Sequence, residues 1–279
     1  MNNHLTLGFS PCPNDTYMFY ALVHNTVDTG ALRFTPDIRD IEALNLAALA
    51  GELDVTKVSF HAYGLLRDTY RLLRSGAAMG RGCGPLVVSL RPTSMTGLVG
   101  KKIAIPGRYT TAYLLLQLYD PAFSCNVVEM PFHAILDAVS DGRVDAGLII
   151  HESRFTYAGH GLTLVADLGQ WWEQTYGLPI PLGCIVARRQ SVDEPLARRV
   201  STAIRESILY AYSHPQETLE YIRGYCRELS EVYIRGHIDL YVNDFSLDMG
   251  QEGERAVAVM LQLAQERGIL KHEQLKAIT

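Results

Sequence analysis

Residues 5–23 read LTLGFSPCPNDTYMFYALV, and residues 101–119 read KKIAIPGRYTTAYLLLQLY. Both stretches begin with a short apolar strand, continue through a loop that contains Pro and small polar residues, and end in an apolar helical pattern. We predict that the helices begin near Thr16 and near Thr110. Because a strand followed by a helix is the building unit of parallel sheets, each stretch predicts the start of a separate α/β lobe.

A second pair of similar segments follows these two units. GELDVTKVSF begins at Gly51 and GRVDAGLIIH begins at Gly142, and each contains a strand that ends at a polar residue, Ser59 or His151. The offset of 91 residues is close to the offset of 96 residues between the first pair and is far longer than a solenoid repeat. The chain is therefore expected to form two α/β lobes of similar design.

The limits of the lobes follow from the strands that join them. The chain is expected to cross from one lobe to the other near 86–90 and again near 181–190. Three helical patterns follow and are expected to fold back on the first lobe, near 193–213, 215–228 and 250–268. This organisation predicts a discontinuous lobe I, with residues 1–90 and 187–279, and a lobe II with residues 91–186.

The composition excludes several classes of protein. The 279 residues are 48% hydrophobic and 20% charged and carry a net charge of −5, so neither nucleic acid nor an anionic membrane is expected as the main partner. No apolar stretch has the roughly 18–20 residues of a membrane span. Five scattered cysteines and an N-terminus without an export signal predict free thiols and a cytoplasmic protein. The oligomeric state is left open, with a homo-oligomer as one alternative.

Neither a nucleotide nor a metal is predicted as a cofactor. The glycine-rich stretch at 75–94 has Pro85 directly after Gly84, so it does not form the nucleotide fingerprint G-x-G-x-x-G, and no G-K-[ST] follows. The nearest histidine to His151 is His160, nine residues on, which is not a metal-ligand spacing. No cofactor is therefore expected.

Ligands of open α/β sheets bind beyond the carboxyl ends of the strands, where helices begin. Two such lobes that face each other would surround one cleft. The residues predicted to lie around it are Asn14–Thr16, Lys57–Ser59, Thr110, Thr111 and His151.

Each of these residues also has a purely structural interpretation. Thr110 stands at the start of a helix. Either this helix start binds an anion, or Thr110 only caps the helix. Lys57 shares a strand face with Ser59 and points either into the cleft or to a solvated edge. His151 follows a buried strand and is either a general base or a hydrogen-bonded structural histidine.

The adjacent Trp171 and Trp172 cannot both face one core from a helix. One of them is expected to contact the cleft, where a planar ligand could stack on it, with core packing of both as the alternative.

Seven stretches resemble the 1,4-dihydroxy-6-naphthoate synthase family of the futalosine route to menaquinone, and the resemblance covers nearly the whole chain. It implies a type II periplasmic-binding-protein fold with a central cleft and a lyase without a cofactor. The lyase would convert cyclic dehypoxanthinylfutalosine to 1,4-dihydroxy-6-naphthoate and dihydroxyacetone. The stretches are LGFSPCPNDTYMFYALVH, TKVSFHAYG, GRGCGPLVV, PGRYTTAYLLL, GLIIHESRFTY, DLGQWWEQTYGLPIPLG and YVNDFSLDMGQEGERAV.

The resemblance also implies roles for individual residues. The histidine of the I-I-H-E-S string, His151, is expected to be the proton acceptor. The substrate is an aromatic carboxylate, and its carboxylate is expected at the helix start near Thr111. The expected substrate contacts are Lys57, Val58 and Ser59 of the T-K-x-S string, Thr111 and Ala112 of the T-T-A string, and the adjacent Thr110.

Two other functions are compatible with this fold. One is a binding protein for an aromatic carboxylate without catalysis. The other is the chorismate dehydratase of the same pathway and fold, although the FSPCPNDT and IIHES strings favour the naphthoate synthase.

Overall fold

The structure is a computed structural model, and it describes residues 4–226 and 230–270. Within these residues the chain forms eleven strands in two sheets. The strands are β1 (His4–Phe9), β2 (Arg33–Ile38), β3 (Val55–Ser59), β4 (Tyr70–Leu72), β5 (Ala78–Gly80), β6 (Leu86–Ser89), β7 (Ile103–Ile105), β8 (Val127–Glu129), β9 (Ala146–Ile149), β10 (Thr163–Asp167) and β11 (Ile180–Arg188).

Each sheet mixes parallel and antiparallel strands. The first has the order β2-β1-β3-β11-β4, with β5 paired to β11, and the second has the order β10-β6-β9-β7-β8. In the first sheet β1 runs parallel to β2 and β3, and β11 runs antiparallel to β3. In the second sheet β7 runs parallel to β8 and β9, and β6 runs antiparallel to β9.

Twelve α-helices lie in the described part of the chain. They are α1 (Pro13–Val23), α2 (Ile41–Leu49), α3 (Phe60–Leu66), α4 (Thr111–Tyr119), α5 (Ile135–Ser140), α6 (Ser153–Thr156), α7 (Leu168–Tyr176), α8 (Glu194–Ser213), α9 (Pro215–Tyr225), α10 (Glu231–Tyr241), α11 (Asp244–Leu247) and α12 (Gly250–Glu266).

The two sheets form two α/β lobes, but the chain changes lobe earlier than the sequence suggests. Leu86–Ser89, predicted as part of lobe I, pairs within the second sheet, and Ile180–Arg188, predicted mainly as part of lobe II, pairs within the first. A short apolar strand can enter either sheet, since long-range pairing decides its partner. The predicted lobe I also includes residues 1–3, 227–229 and 271–279, which lie outside the described residues.

The C-terminal helices fold back on the first lobe. Helix α1 packs against α8, α9 and α10, and it buries Met18, Phe19 and Leu22 in a core shared with β1 and α8. This packing covers one face of the first sheet, and α2, α3 and α12 lie among the elements around β3 and β11. All five residues of β3 are buried, as a strand covered on both faces requires.

None of the described helices combines the length and the apolar character that crossing a membrane requires.

Candidate active site

A cavity lies where the two lobes meet. Seven of the eight residues that the sequence predicts as site residues line it: Asn14, Lys57, Ser59, Thr110, Thr111, Ala112 and His151. Other lining residues include Ser10, Asp15, Ile41, Cys83, Leu182 and Tyr241. The side chains therefore come from β3, from the starts of α1 and α4, from the end of β9, and from α10 and β11.

Val58 does not line this cavity. Its side chain is fully buried in the core, because successive residues of a strand point to opposite faces and its neighbours Lys57 and Ser59 face the cavity. A substrate contact through the Val58 side chain is not compatible with this position.

The two tryptophans do not line the cavity either. Trp172 is fully buried and donates from Nε1 to the Pro179 carbonyl at 3.1 Å. Trp171 is half-buried and packs edge-on against Tyr119 at 5.3 Å between ring centroids. Neither tryptophan lines the cavity, and both pack against the core, as the alternative interpretation predicts. A contact of one tryptophan with the rim of the cleft stays a prediction.

His151 stands directly after β9 with a backbone φ of 55°. A residue with a Cβ rarely adopts this left-handed region, and holding it there costs on the order of 1–3 kcal/mol. The ring packs edge-on against Phe132 at 5.0 Å between centroids. Nε2 is buried and has no hydrogen-bond partner among the described residues. The backbone strain and the unpaired Nε2 together distinguish His151 from a structural histidine whose ring nitrogens are hydrogen-bonded.

Burial lowers the pKa of His151, and the positive charge of Lys57 adds to that effect. The carboxylates of Glu152 and Asp15 raise the pKa again in part. The net direction is downward, so His151 is a neutral imidazole at neutral pH. A neutral imidazole can accept a proton, which is the state a general base needs.

Helix α4 begins at the cavity. The Thr110 hydroxyl accepts a hydrogen bond from the Tyr113 N–H at 3.2 Å, so Thr110 caps its own helix. The Thr111 hydroxyl donates to the Leu182 carbonyl at 2.6 Å. Helix geometry leaves the N–H groups of Thr111 and Ala112 without an acceptor inside the helix, and such groups with the helix dipole form a site for a carboxylate. The capping interpretation of Thr110 is therefore confirmed, and anion binding at this helix start stays a prediction.

Lys57 does not end at a solvated edge. Its Nζ lies 2.7 Å from Oδ1 of Asp15, and both side chains are almost completely buried. A buried charge needs such a partner, because desolvation of an isolated ammonium is costly. The Asp15 carboxylate thus largely neutralises the positive charge that Lys57 brings to the cavity wall.

Asp15 is the centre of a buried polar network at the start of α1. Its Oδ2 accepts from the Ser10 hydroxyl at 2.7 Å, and its Oδ1 accepts from Asn14 Nδ2 at 2.8 Å. Asn14 Oδ1 in turn accepts from Nε2 of His237 at 2.9 Å. This network connects α1, β3 and α10, and it holds Asn14 and Lys57 in fixed orientations.

Glu42 joins the two lobes at the rim of the cavity. Its Oε1 accepts a hydrogen bond from the Tyr109 N–H at 2.9 Å, and its Oε2 accepts from Asn45 Nδ2 at 2.9 Å. Burial raises the pKa of Glu42, and these hydrogen bonds oppose that rise. Gly107 permits the contact, since a Cβ on Gly107 would lie 2.3 Å from the Glu42 carboxyl carbon.

His61 makes a second contact between the lobes. His61 lies in the first turn of α3, and its Nδ1 donates a hydrogen bond to the Thr110 carbonyl at 3.3 Å. Burial lowers the pKa of His61 to about 4, although the hydrogen bond to Thr110 raises it slightly. The ring is therefore neutral and forms part of the surface on which α4 rests.

The sequence placed Asp15 at the cleft only as part of the range Asn14–Thr16 and gave it no role of its own, and it did not indicate His237 at all. Asp15 stands in the P-N-D-T string beside Asn14, so the string contained a signal: an acidic residue at the start of a helix that faces a cleft lysine. His237 gave no such signal, because it lies 223 residues from its hydrogen-bond partner.

No group of three or more His, Cys, Asp or Glu residues suited to a metal ion occurs in the two ranges that the structure describes.

Comparison with known proteins places the chain among enzymes named for one activity. The chain is 52% identical over 265 residues to a 1,4-dihydroxy-6-naphthoate synthase of Thermus thermophilus, with 95% of each protein covered. It is 43% identical over 270 residues to the protein of the same name from Streptomyces coelicolor, with 95% of this chain and 94% of that protein covered.

Solved structures agree with this relation. A protein from Archaeoglobus fulgidus superposes with a TM-score of 0.89 at 41% identity, over 96% of this chain and 99% of that one. The alkanesulfonate-binding protein SsuA from Xanthomonas axonopodis, bound to MOPS, superposes with a TM-score of 0.72 at 14% identity, over 97% and 95% of the two chains. The second likeness confirms the predicted two-lobed periplasmic-binding-protein-like fold.

The sequence profile of a family described as "Menaquinone biosynthesis" matches residues 5–266. Since this match spans nearly all of the chain and the relatives of high identity bear synthase names, the chain belongs to the menaquinone biosynthesis family and is related within it to the 1,4-dihydroxy-6-naphthoate synthases.

Proposed function

We propose that the protein is a carbon–carbon lyase of menaquinone biosynthesis. It converts cyclic dehypoxanthinylfutalosine to 1,4-dihydroxy-6-naphthoate and dihydroxyacetone, with His151 as the general base. The observation that carries this proposal is the neutral, strained His151 with a buried and unpaired Nε2 at a cavity between two lobes. A nitrogen in that state has no structural hydrogen bond to lose when it accepts a substrate proton.

The start of α4 is the proposed site for the substrate carboxylate. The N–H groups of Thr111 and Ala112 and the positive end of the helix dipole supply the attraction. The ammonium of Lys57 is already paired with Asp15, so its proposed role is to direct a hydrogen bond and not to provide net charge. Ser59 and Asn14 complete the polar part of the proposed substrate contacts.

The proposed reaction needs no cofactor. His151 removes a proton from a carbon that a neighbouring carbonyl activates, and carbon–carbon cleavage and aromatisation follow. General-base catalysis contributes about 10²–10⁴-fold, and the fixed positions of substrate and base supply a further part of the rate. We also propose that the enzyme works in the cytoplasm, since its five cysteines are free thiols.

The test is turnover of the purified protein with cyclic dehypoxanthinylfutalosine, followed by the release of dihydroxyacetone. His151→Gln is expected to lower kcat by at least about 100-fold, because Gln cannot accept the proton. Substrate affinity and the midpoint of thermal unfolding should stay close to those of the wild type. The exposed His24→Gln is the matched control and should retain full activity.

Two results would contradict the proposal. If the wild type returns the substrate unchanged but binds it, the protein is a binding protein for an aromatic carboxylate. If it dehydrates chorismate instead, it is the chorismate dehydratase. Near-normal turnover by His151→Gln would remove His151 from the mechanism while leaving the lyase activity in place.

A further inference from the structure

Ser59 is the last residue of β3 and the residue directly before α3, and it lines the cavity. A serine at this position usually caps its helix, because its oxygen accepts a hydrogen bond from a backbone N–H of the first turn. Ser59 makes no such bond. Its side chain is nevertheless buried, so the hydroxyl needs another partner in the interior.

That partner is Asn45, a fully buried residue of α2. Its Oδ1 accepts a hydrogen bond from the Ser59 N–H at 2.8 Å. Because a backbone N–H can only donate, this bond fixes the orientation of the Asn45 amide, with Nδ2 on the opposite side. Nδ2 donates to the Ser59 hydroxyl oxygen at 3.2 Å and to Oε2 of Glu42 at 2.9 Å. The Asn45 amide therefore has a partner for its oxygen and two partners for its nitrogen.

The direction of these bonds leaves the hydroxyl hydrogen of Ser59 for the cavity. An amide nitrogen cannot accept, so the Ser59 oxygen is the acceptor in its bond with Asn45. No residue of the two described ranges accepts a hydrogen bond from the Ser59 hydroxyl. A buried donor beside a cavity, without an acceptor in the protein, is suited to an acceptor on a ligand.

We infer that Asn45 is a positioning residue that holds Ser59 as a hydrogen-bond donor to a carbonyl oxygen of the substrate. This inference rests on the proposed lyase function, in which a carbonyl activates the carbon that loses a proton to His151. That proton goes to His151, and the electron pair of the C–H bond passes to the carbonyl oxygen, which gives an enolate. The Ser59 hydroxyl keeps its own proton throughout and stabilises the negative charge on that oxygen, because a donor that is already oriented needs no rearrangement.

The same hydrogen bonds reach the second lobe. Glu42 accepts from Asn45 with Oε2 and from the Tyr109 N–H with Oε1, and Tyr109 lies shortly before the start of α4. Glu42 thus connects the donor for the carbonyl oxygen with the proposed site for the carboxylate. A rigid ligand that carries both a carbonyl and a carboxylate fits this arrangement.

Asn45→Asp tests the positioning role, because it reverses one hydrogen bond with almost no change of shape. One oxygen of the new carboxyl group can still accept from the Ser59 N–H, but the other is an acceptor where Nδ2 was a donor. The Ser59 hydroxyl then donates to this oxygen and no longer to the substrate. We expect Asn45→Asp and Ser59→Ala each to lower kcat by about 100-fold, with a much smaller change in KM.

The double variant distinguishes positioning from a merely structural role. If Asn45 acts through Ser59, Asn45→Asp should lower kcat by less than about threefold in the Ser59→Ala background. An equal loss in both backgrounds would overturn the inference. Asn45→Ala replaces Asn45→Asp if that variant does not fold, and its loss should likewise disappear in the Ser59→Ala background. Asn25→Asp, at an exposed position after α1, is the matched control and should keep the kcat of the wild type.

The vibration of a bound ketone tests the hydrogen bond itself. The probe is 1-tetralone-7-carboxylate with carbon-13 at the ketone, a stable compound with a ketone and a carboxylate on one fused ring frame. Its C=O stretching frequency should be lower in the complex with the wild type than in the complexes with Ser59→Ala and Asn45→Asp, because a hydrogen-bond donor weakens the C=O bond. Equal frequencies in the wild type and Ser59→Ala would overturn the inference.

The proposed function and this inference fail in different ways. If the wild type releases no dihydroxyacetone, the lyase function fails. If the wild type is active and His151→Gln is inactive, but Ser59→Ala turns over within about threefold of the wild type, only the role of Ser59 and Asn45 fails.

Discussion

At the scale of single residues, the buried pair of Lys57 and Asp15 determines much of the chemistry of the cavity wall. It places a positive and a negative charge 2.7 Å apart where neither contacts bulk water. Asp15 has two further donors in Ser10 and Asn14, so both oxygens of its carboxylate are hydrogen-bonded. Such a pair adds little net stability compared with apolar residues, but removing one partner leaves the other uncompensated.

This asymmetry predicts that Asp15→Asn lowers the free energy of unfolding by about 3–5 kcal/mol, because the buried Lys57 ammonium loses its counter-charge. The double variant Asp15→Asn with Lys57→Met should recover a large part of that loss, since it removes both charges. Urea unfolding at pH 7.5 measures both values.

The exposed pair of Arg143 and Asp141 provides the control, with side chains 56% and 61% exposed. Asp141→Asn should change the free energy of unfolding by less than about 1 kcal/mol, as is usual for surface ion pairs. A loss below 1 kcal/mol for Asp15→Asn as well would show that water reaches Lys57 and that the pair is not buried in solution.

The residues of the candidate site differ in how far the sequence could predict them. Lys57 and Ser59 lie in the last part of β3, and His151 comes shortly after β9, so local pattern and fold class together indicated them. The interpretation of Thr110 needed coordinates, because capping and anion binding use the same residue types. His237 became recognisable only through the contact between α10 and α1, which no local pattern specifies.

At the scale of elements, the start of α4 is a part of lobe II that the first lobe contacts through hydrogen bonds. Three residues of the first lobe contact it: Glu42 binds the Tyr109 N–H, His61 binds the Thr110 carbonyl, and Leu182 accepts from Thr111. The proposed carboxylate site therefore has its shape only when both lobes are in place.

Gly107→Ala tests this dependence. A Cβ there would collide with Glu42 at 2.3 Å, so Glu42 must move and the hydrogen bond to Tyr109 is lost. We expect the free energy of unfolding to fall by about 1–3 kcal/mol, as for other overpacked sites. KM should rise more than kcat falls, because the start of α4 is the proposed carboxylate site and has no part in the proposed proton transfer.

Gly159→Ala is the matched control, since an added Cβ there would have nothing within 4 Å. Steady-state kinetics and urea unfolding of both variants measure the difference. Equal behaviour of the two alanine variants would mean that the contact between Glu42 and Tyr109 does not shape the substrate site.

The elements also show why the lobe limits were harder to predict than the lobes. The units that begin with β1 and β7 are similar because each has the local pattern of a strand followed by a helix, and both units are present in the structure. Strands β6 and β11, in contrast, are apolar runs that could pair in either sheet, and their partners lie far away in the sequence.

At the scale of the whole molecule, three histidines are buried without charge around the junction of the lobes. Burial lowers the pKa of His61 to about 4, lowers that of His151, and lowers that of His237 well below its ordinary value of 6.5. The positive charge of Lys57 adds to the effect on the pKa of His237, and so does the charge that His151 would carry if it were protonated. The folded state is therefore linked to the neutral state of these rings.

The sign of the resulting pH dependence follows from proton linkage. Below pH 6.5 the unfolded chain binds protons at these histidines while the folded protein still excludes them, so stability falls as the pH falls. For His61 the loss begins near pH 6.5 and is complete below about pH 4, which corresponds to about 3 kcal/mol for that residue alone. The raised pKa of Glu42 works in the opposite direction, because the folded protein then binds a proton more readily than the unfolded chain.

The contribution of His61 is therefore best measured as a difference between variants. We expect the free energy of unfolding in urea at constant ionic strength to fall between pH 7.5 and pH 5 for the wild type and for His24→Gln. His61→Leu should show a smaller fall over the same interval, by up to about 2 kcal/mol, because its unfolded chain has one fewer site that binds a proton. An equal fall for His61→Leu and the wild type would mean that His61 has the same pKa in the folded and unfolded states and does not couple stability to pH.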